Sequence, residues 1–180
     1  MTVSVLTIVK GREAHLHNLV TGLGRCEVAP DELIIVDMNR DPVVVEETAF
    51  PIHVVHHPSE GLPLAQTRNV AASRAKSTDL IFLDVDCIPA KALIGSMKQA
   101  LSAISGVVCS PVMYLPPGAV DSGWTEDGLR EVGRPHRDRI FPTSGYQLET
   151  NPGLFWSLLF GVNRELFHSV DGFDESFEGY

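Results

Sequence analysis

Residues 79–84 read Asp-Leu-Ile-Phe-Leu-Asp, and this run constrains the chain more than any other. It is short, apolar and without alternation, which is the pattern of a strand covered on both faces. Such strands belong to parallel sheets flanked by helices. Two carboxylates then arrive at its carboxyl end, Asp84-Val85-Asp86, followed by Cys87-Ile88-Pro89. In open α/β sheets that edge is where ligands bind. Hard oxygen donors there suit Mg²⁺ or Mn²⁺, which in turn suit a diphosphate. Strand alternation is expected to place Asp84 and Asp86 on one side with Val85 toward the core. Acidic residues also end strands and start helices for purely structural reasons, so the motif takes its weight from its surroundings.

The surroundings repeat the strand–helix rhythm. Strands are expected at Val3–Val9, Glu32–Met38, Ile52–His56, Leu80–Asp84 and Val107–Val112. Helices are expected at Glu13–Leu23, with Leu16, Leu19, Val20 and Leu23 on one face, at Pro63–Lys76, and at Ala90–Ile104. The fold class is therefore α/β, a mainly parallel central sheet with helices on both faces. One domain over residues 1–180 is expected, with a ligand-binding half at 1–112 and a second half at 113–180. From about Leu115 to Gly153 the periodicity fails, and a long loop is expected. It carries Arg130, Arg134, His136, Arg137 and Arg139, either a solvated cluster or a contact for an acceptor or phosphate. Asn163 is placed to cap a short helix, Arg164–Ser169.

Composition narrows the partners. A net charge of −9 argues against broad binding of nucleic acid or an anionic membrane, which would need a basic face. The apolar start at Val3–Val9 is too short for a membrane span or a signal segment and reads as the first strand. Cys26, Cys87 and Cys109 are widely spaced and odd in number, so neither a disulfide framework nor a zinc site is expected. A reduced, cytoplasmic setting follows as the simplest expectation. His15, His17, His56 and His57 lack metal-ligand spacing and read as structural or exposed.

Five segments, in order, resemble the inverting family 2 glycosyltransferases with the nucleotide-diphospho-sugar transferase fold. They are Val5-Leu6-Thr7-Ile8-Val9-Lys10-Gly11-Arg12, Ile34-Ile35-Val36-Asp37-Met38-Asn39, Gly61 to Arg68-Asn69, Asp84-Val85-Asp86, and Phe160-Gly161-Val162-Asn163-Arg164 with Val170-Asp171-Gly172-Phe173-Asp174-Glu175. The resemblance implies a nucleotide-sugar donor, most simply a UDP-sugar, and an unidentified sugar or small-molecule acceptor. It implies nucleotide contacts from Thr7, Val9, Lys10, Arg12, Asp37, Arg68 and Asp84. Asp86 would hold the Mn²⁺ or Mg²⁺ cofactor, with Asp84 on ribose or a metal-bound water. Trp156 reads either as a sugar platform on the acceptor side or as core.

The resemblance also implies a catalytic base in a Glu-Asp pair just after Tyr180, where this sequence stops. The expectation is a shortened or naturally short relative, with Asp174 and Glu175 the nearest substitutes for the base. Two functions are thus carried forward: a metal-dependent inverting glycosyltransferase, and a nucleotide-sugar-binding module without catalysis. A dinucleotide-binding dehydrogenase is disfavoured, because Lys10-Gly11-Arg12 does not supply G-x-G-x-x-G.

Overall fold

The computed structural model describes residues 1–177. They form two compact units, one from residues 1–108 with 157–177 and the other from 109–156. The first unit is built on a sheet of six strands in chain order: β1 (Val3–Val9), β2 (Glu32–Asp37), β3 (Ile52–His56), β4 (Asp79–Leu83), β5 (Val108–Cys109) and β8 (Leu159–Asn163). Their order across the sheet is β3-β2-β1-β4-β8-β5. The first four are parallel, and β8 runs antiparallel to β4. The mainly parallel sheet expected from the sequence is therefore present.

Burial explains the three apolar runs. Every residue of β1, β2 and β4 is buried, as central strands covered on both faces must be. β3 lies at the edge and leaves Val54 exposed. The expected strand at Val107–Val112 shrinks to Val108–Cys109. Pro111, which has no N–H to donate, stands just beyond it.

The helices α1 (Glu13–Gly24), α2 (Leu64–Arg74), α3 (Leu93–Ala103) and α5 (Arg164–Ser169) connect these strands or follow them. Asn163 caps α5 as expected, its Oδ1 accepting from the N–H groups of Glu165 at 3.0 Å and Leu166 at 3.2 Å. On α1, a Cβ at Gly22 would lie 2.7 Å from the ring of Pro89, so only glycine allows that close approach. Under the sheet, Phe82 stacks on Phe160 with ring centroids 4.5 Å apart. Phe167 and Phe173 pack against the same ring at 5.1 and 5.6 Å.

The second unit corrects the expectation of an irregular loop. It contains a hairpin of β6 (Met113–Tyr114) and β7 (Arg134–Pro135), the helix α4 (Glu126–Val132) and a 3₁₀ turn at Pro152–Leu154. Thr125 caps α4 by accepting from the Gly128 N–H at 3.2 Å, and Glu126 and Asp127 occupy its first turn. These elements are too short to show periodicity, although Thr125-Glu126-Asp127 was a legible start signal.

Candidate active site

The carboxyl ends of β1, β2 and β4 meet at one edge. Val9 stands opposite Asp37 in register. β4 pairs with β8 only as far as Leu83, and Asp84 then begins a turn whose carbonyl accepts from the Cys87 N–H at 2.9 Å. The two carboxylates therefore lie on a turn, and strand alternation does not govern them. Val85 is nevertheless buried.

Each carboxylate meets an arginine. Arg68, near the start of α2, donates to Asp84 Oδ1 at 2.8 Å, and Arg12, just before α1, donates to Asp86 Oδ2 at 2.5 Å. The pairs differ in burial. Arg68 is 11% exposed and its guanidinium also lies 5.7 Å from the Phe173 ring centroid, whereas Arg12 and Asp86 are each 45% exposed. Burial raises the Asp84 carboxyl above its ordinary range, Arg68 opposes this, and the charge of Asp86 adds to it.

Other expected contact residues take structural partners. Lys10 Nζ donates to the carbonyls of Ser59, Glu60 and Gly61, the last two at 2.9 and 2.8 Å. It thereby fixes the segment that leads into α2. Asp37 is fully buried, its oxygens accepting from the N–H groups of Asn39 at 2.9 Å and Val43 at 2.7 Å. That is the turn-forming role open to an aspartate at this position. The side chain of Val9 is fully buried, and its carbonyl accepts from Met38. Thr7 Oγ1 and Asn39 Nδ2 are buried without a hydrogen-bond partner among the described residues. Thr7 shares a small depression with Arg68, Phe82 and Asp84.

Two asparagines were missed by sequence reasoning as organisers of this edge. Asn39 Oδ1 accepts from the Gly11 N–H at 2.7 Å, and Gly11 holds a φ of 62° that favours glycine. Asn69 Nδ2 donates to the Phe173 carbonyl at 2.8 Å and to Glu175 Oε1 at 2.9 Å, while its Oδ1 accepts from the Phe173 N–H. Their placement next to Arg68 and two residues after Asp37 was the available signal.

Asp174 and Glu175 sit on this Asn69-bound turn. The Ser176 side chain and N–H hold the Asp174 carboxyl below its ordinary value, the wrong direction for a general base. The position expected for the base, beyond Tyr180, lies outside the described residues. In the second unit, Arg139 lies over Trp156 with its guanidinium carbon 3.6 Å from the ring centroid, and the His136 and Tyr114 rings meet the indole edge-on. Trp156 is thus half-buried in a cation–aromatic cluster of its own unit.

Among the described residues no three His, Cys, Asp or Glu side chains converge to cage a metal. Asp84 and Asp86 nonetheless fit Mg²⁺ or Mn²⁺, which take one or two carboxylates and complete their shell with phosphate oxygens and water. Also among the described residues, no helix is long and apolar enough to cross a membrane. None of Cys26, Cys87 and Cys109 takes part in a disulfide.

Cys87, on the same turn, has its thiol pushed up to about 12 by burial and then by the charges of Asp86 and Asp84. At pH 8 its thiolate fraction should fall roughly 10³-fold below that of an ordinary cysteine. Iodoacetamide at that pH is expected to leave Cys87 unmodified while labelling an unstructured cysteine peptide. Labelling at the peptide's rate, read by mass spectrometry, would contradict the burial.

A mainly parallel sheet that gathers two carboxylates and two arginines at its carboxyl edge is an α/β architecture with its charged groups where open sheets of this class bind ligands. The model of glycosyl transferase family 2 matches residues 4–167, and the chain belongs to that family. Among solved structures, residues 1–349 of S. aureus TarS superpose with a TM-score of 0.65 at 17% identity, covering 99% of this chain and 52% of that one. The same protein in complex with UDP-GlcNAc gives a TM-score of 0.62 at 16% identity, with coverage of 96% and 48%. The mannosyltransferase PcManGT from Pyrobaculum calidifontis, in complex with GDP-Man and Mn²⁺, gives 0.61 at 15% identity, with coverage of 96% and 47%. The chain thus spans about half the length of these structures. No curated protein matches it at a significant level.

Proposed function

We propose that this chain binds a nucleotide-sugar, most simply a UDP-sugar, together with Mn²⁺ or Mg²⁺, and serves transfer of the sugar to an acceptor hydroxyl with inversion. The observation that carries this is the placement of Asp84 and Asp86 at the carboxyl edge of the sheet, each beside an arginine. The neighbours bound to UDP-GlcNAc and to GDP-Man with Mn²⁺ support the ligand class.

Asp86 would hold the cation, with Asp84 toward ribose or a metal-bound water. The cation supplies Lewis acidity that stabilises the departing diphosphate. Thr7 lines the base side with its unpartnered hydroxyl, and Asp37 shapes that side by holding the turn at residues 39–43. Lys10 positions the segment before α2, which carries Arg68. In the transfer, the acceptor oxygen bonds to the anomeric carbon as the bond to the diphosphate breaks, and a base takes the hydroxyl proton.

A second reading, binding of the nucleotide-sugar without transfer, is favoured by one observation. The two nearby carboxylates proposed as substitute bases are turn-bound, with Asp174 held acidic and Glu175 bonded to Asn69. Calorimetry of the chain with UDP, in Mn²⁺ and in EDTA, tests the shared core of both readings. UDP is expected to bind at least about tenfold more tightly with Mn²⁺, since a divalent charge held by Asp86 attracts the diphosphate. Equal affinity in the two buffers would sink the metal assignment. Transfer to a sugar acceptor then separates the two readings.

A further inference from the structure

The two arginine–aspartate pairs are alike in charge but unlike in setting. Arg68 and Asp84 are mostly buried, and Arg68 is also held against Phe173. Breaking such a pair leaves a buried charge uncompensated and is costly. Arg12 and Asp86 are close to half exposed, and exposed pairs of this kind contribute little to stability. The second pair is therefore the one that a ligand can take apart.

Its position makes the exchange consequential. Asp86 is the carboxylate best placed to take a divalent cation, and its Oδ2 is engaged by Arg12. The Arg12 backbone is fixed from behind, because the Gly11 N–H is held by Asn39 Oδ1. Its long side chain remains free to turn about a stationary origin. Lys10 is committed to three backbone carbonyls. Among the residues of the Lys10-Gly11-Arg12 turn, Arg12 is thus the cation available to a phosphate.

We infer that Arg12 is an exchange residue: it competes with the divalent cation for Asp86 and moves to the diphosphate when the nucleotide arrives. This rests on the nucleotide and metal reading given above. The consequence is a coupling between the two ligands that passes through one side chain. Diphosphate draws Arg12 away and uncovers Asp86 for the cation. A cation on Asp86 in turn releases Arg12 for the diphosphate. Such coupling is reciprocal by thermodynamic necessity, so each ligand raises the other's affinity by the same factor. A purely structural Arg12 would instead affect both ligands in the same direction.

The test measures Mn²⁺ binding by electron paramagnetic resonance without nucleotide, and UDP binding by calorimetry in EDTA. In Arg12→Gln, Mn²⁺ alone should bind about two- to fivefold more tightly, the range released by losing an exposed ion pair. UDP in EDTA should bind about tenfold or more weakly, the range for a charge-assisted hydrogen bond. Arg12→Lys keeps the charge and should leave Mn²⁺ affinity near that of the unaltered chain.

A second variant reads the exchange from the other side. Asp86→Ala frees Arg12 and should tighten UDP in EDTA about two- to fivefold. Unchanged or weaker Mn²⁺ binding in Arg12→Gln overturns the inference, as does UDP affinity in EDTA that ignores both variants. If the unaltered chain binds neither Mn²⁺ nor UDP, the functional reading falls and takes this inference with it. If it binds both and the variants do not shift them oppositely, only the exchange falls.

Discussion

Replacing Asp86 with alanine is expected to erase the difference between UDP affinity in Mn²⁺ and in EDTA. Groups that merely orient a metal ligand already cost about 10–100-fold in metal affinity on removal, so loss of the ligand itself should remove the whole Mn²⁺-dependent gain, about tenfold or more. The fold should not respond. Asp86 is 45% exposed and its only hydrogen bond among the described residues is to an equally exposed arginine, so the melting temperature should move by no more than about 2 °C. A variant that retains the Mn²⁺ effect would transfer the cation to another carboxylate, Asp84 first. A variant that melts early would mean that the Asp84–Cys87 turn depends on Asp86 in a way the geometry does not show.

Phe82→Ala is expected to give the largest loss of stability in the chain. The ring is 2% exposed and meets Phe160, Phe167 and Phe173 within 5.6 Å, so deletion leaves a cavity that three aromatic rings cannot all collapse to fill. Such substitutions cost about 3–5 kcal/mol. For a chain of this size that corresponds to a fall of about 6–20 °C in melting temperature. The damage should also reach the site, because Phe173 is both a wall of this cluster and the ring beside Arg68. UDP affinity should weaken at temperatures well below the melt. Phe82→Leu keeps most of the volume and should recover much of both losses. A fall of less than about 2 °C in Phe82→Ala would show that the cluster relaxes freely.

What the sequence made legible follows from the range of the interactions. The central strands were readable because burial on both faces demands an unbroken apolar run, as in Leu33-Ile34-Ile35-Val36 and Leu80-Ile81-Phe82-Leu83. Asn163 was readable because a cap acts on the two and three residues that follow it. The placement of two aspartates at the end of a buried strand was readable for the same reason.

The site's wiring was not. Lys10 reaches carbonyls 49 to 51 residues away, and Asn39 reaches an N–H 28 residues back. Nothing in a local window separates such a lysine from a phosphate ligand. Asp37 illustrates the same limit: a buried aspartate at a strand end suits a base contact or a turn, and only the N–H groups of Asn39 and Val43 show how its oxygens are used. The second unit escaped notice because two-residue strands and a seven-residue helix leave no periodic trace.

The antiparallel neighbour of β4 has a consequence for the birth of the protein. Leu83 pairs with Leu159, so the most apolar strand of the sheet must wait for about 75 further residues before its second edge is covered. At a synthesis rate of roughly 5–20 residues per second, that interval lasts about 4–15 seconds. Throughout it, Leu80-Ile81-Phe82-Leu83 offers a bare row of backbone donors and acceptors to any extended chain nearby. The same strand that orders the finished site is thus an open edge of the nascent chain, available for mispairing until β8 arrives.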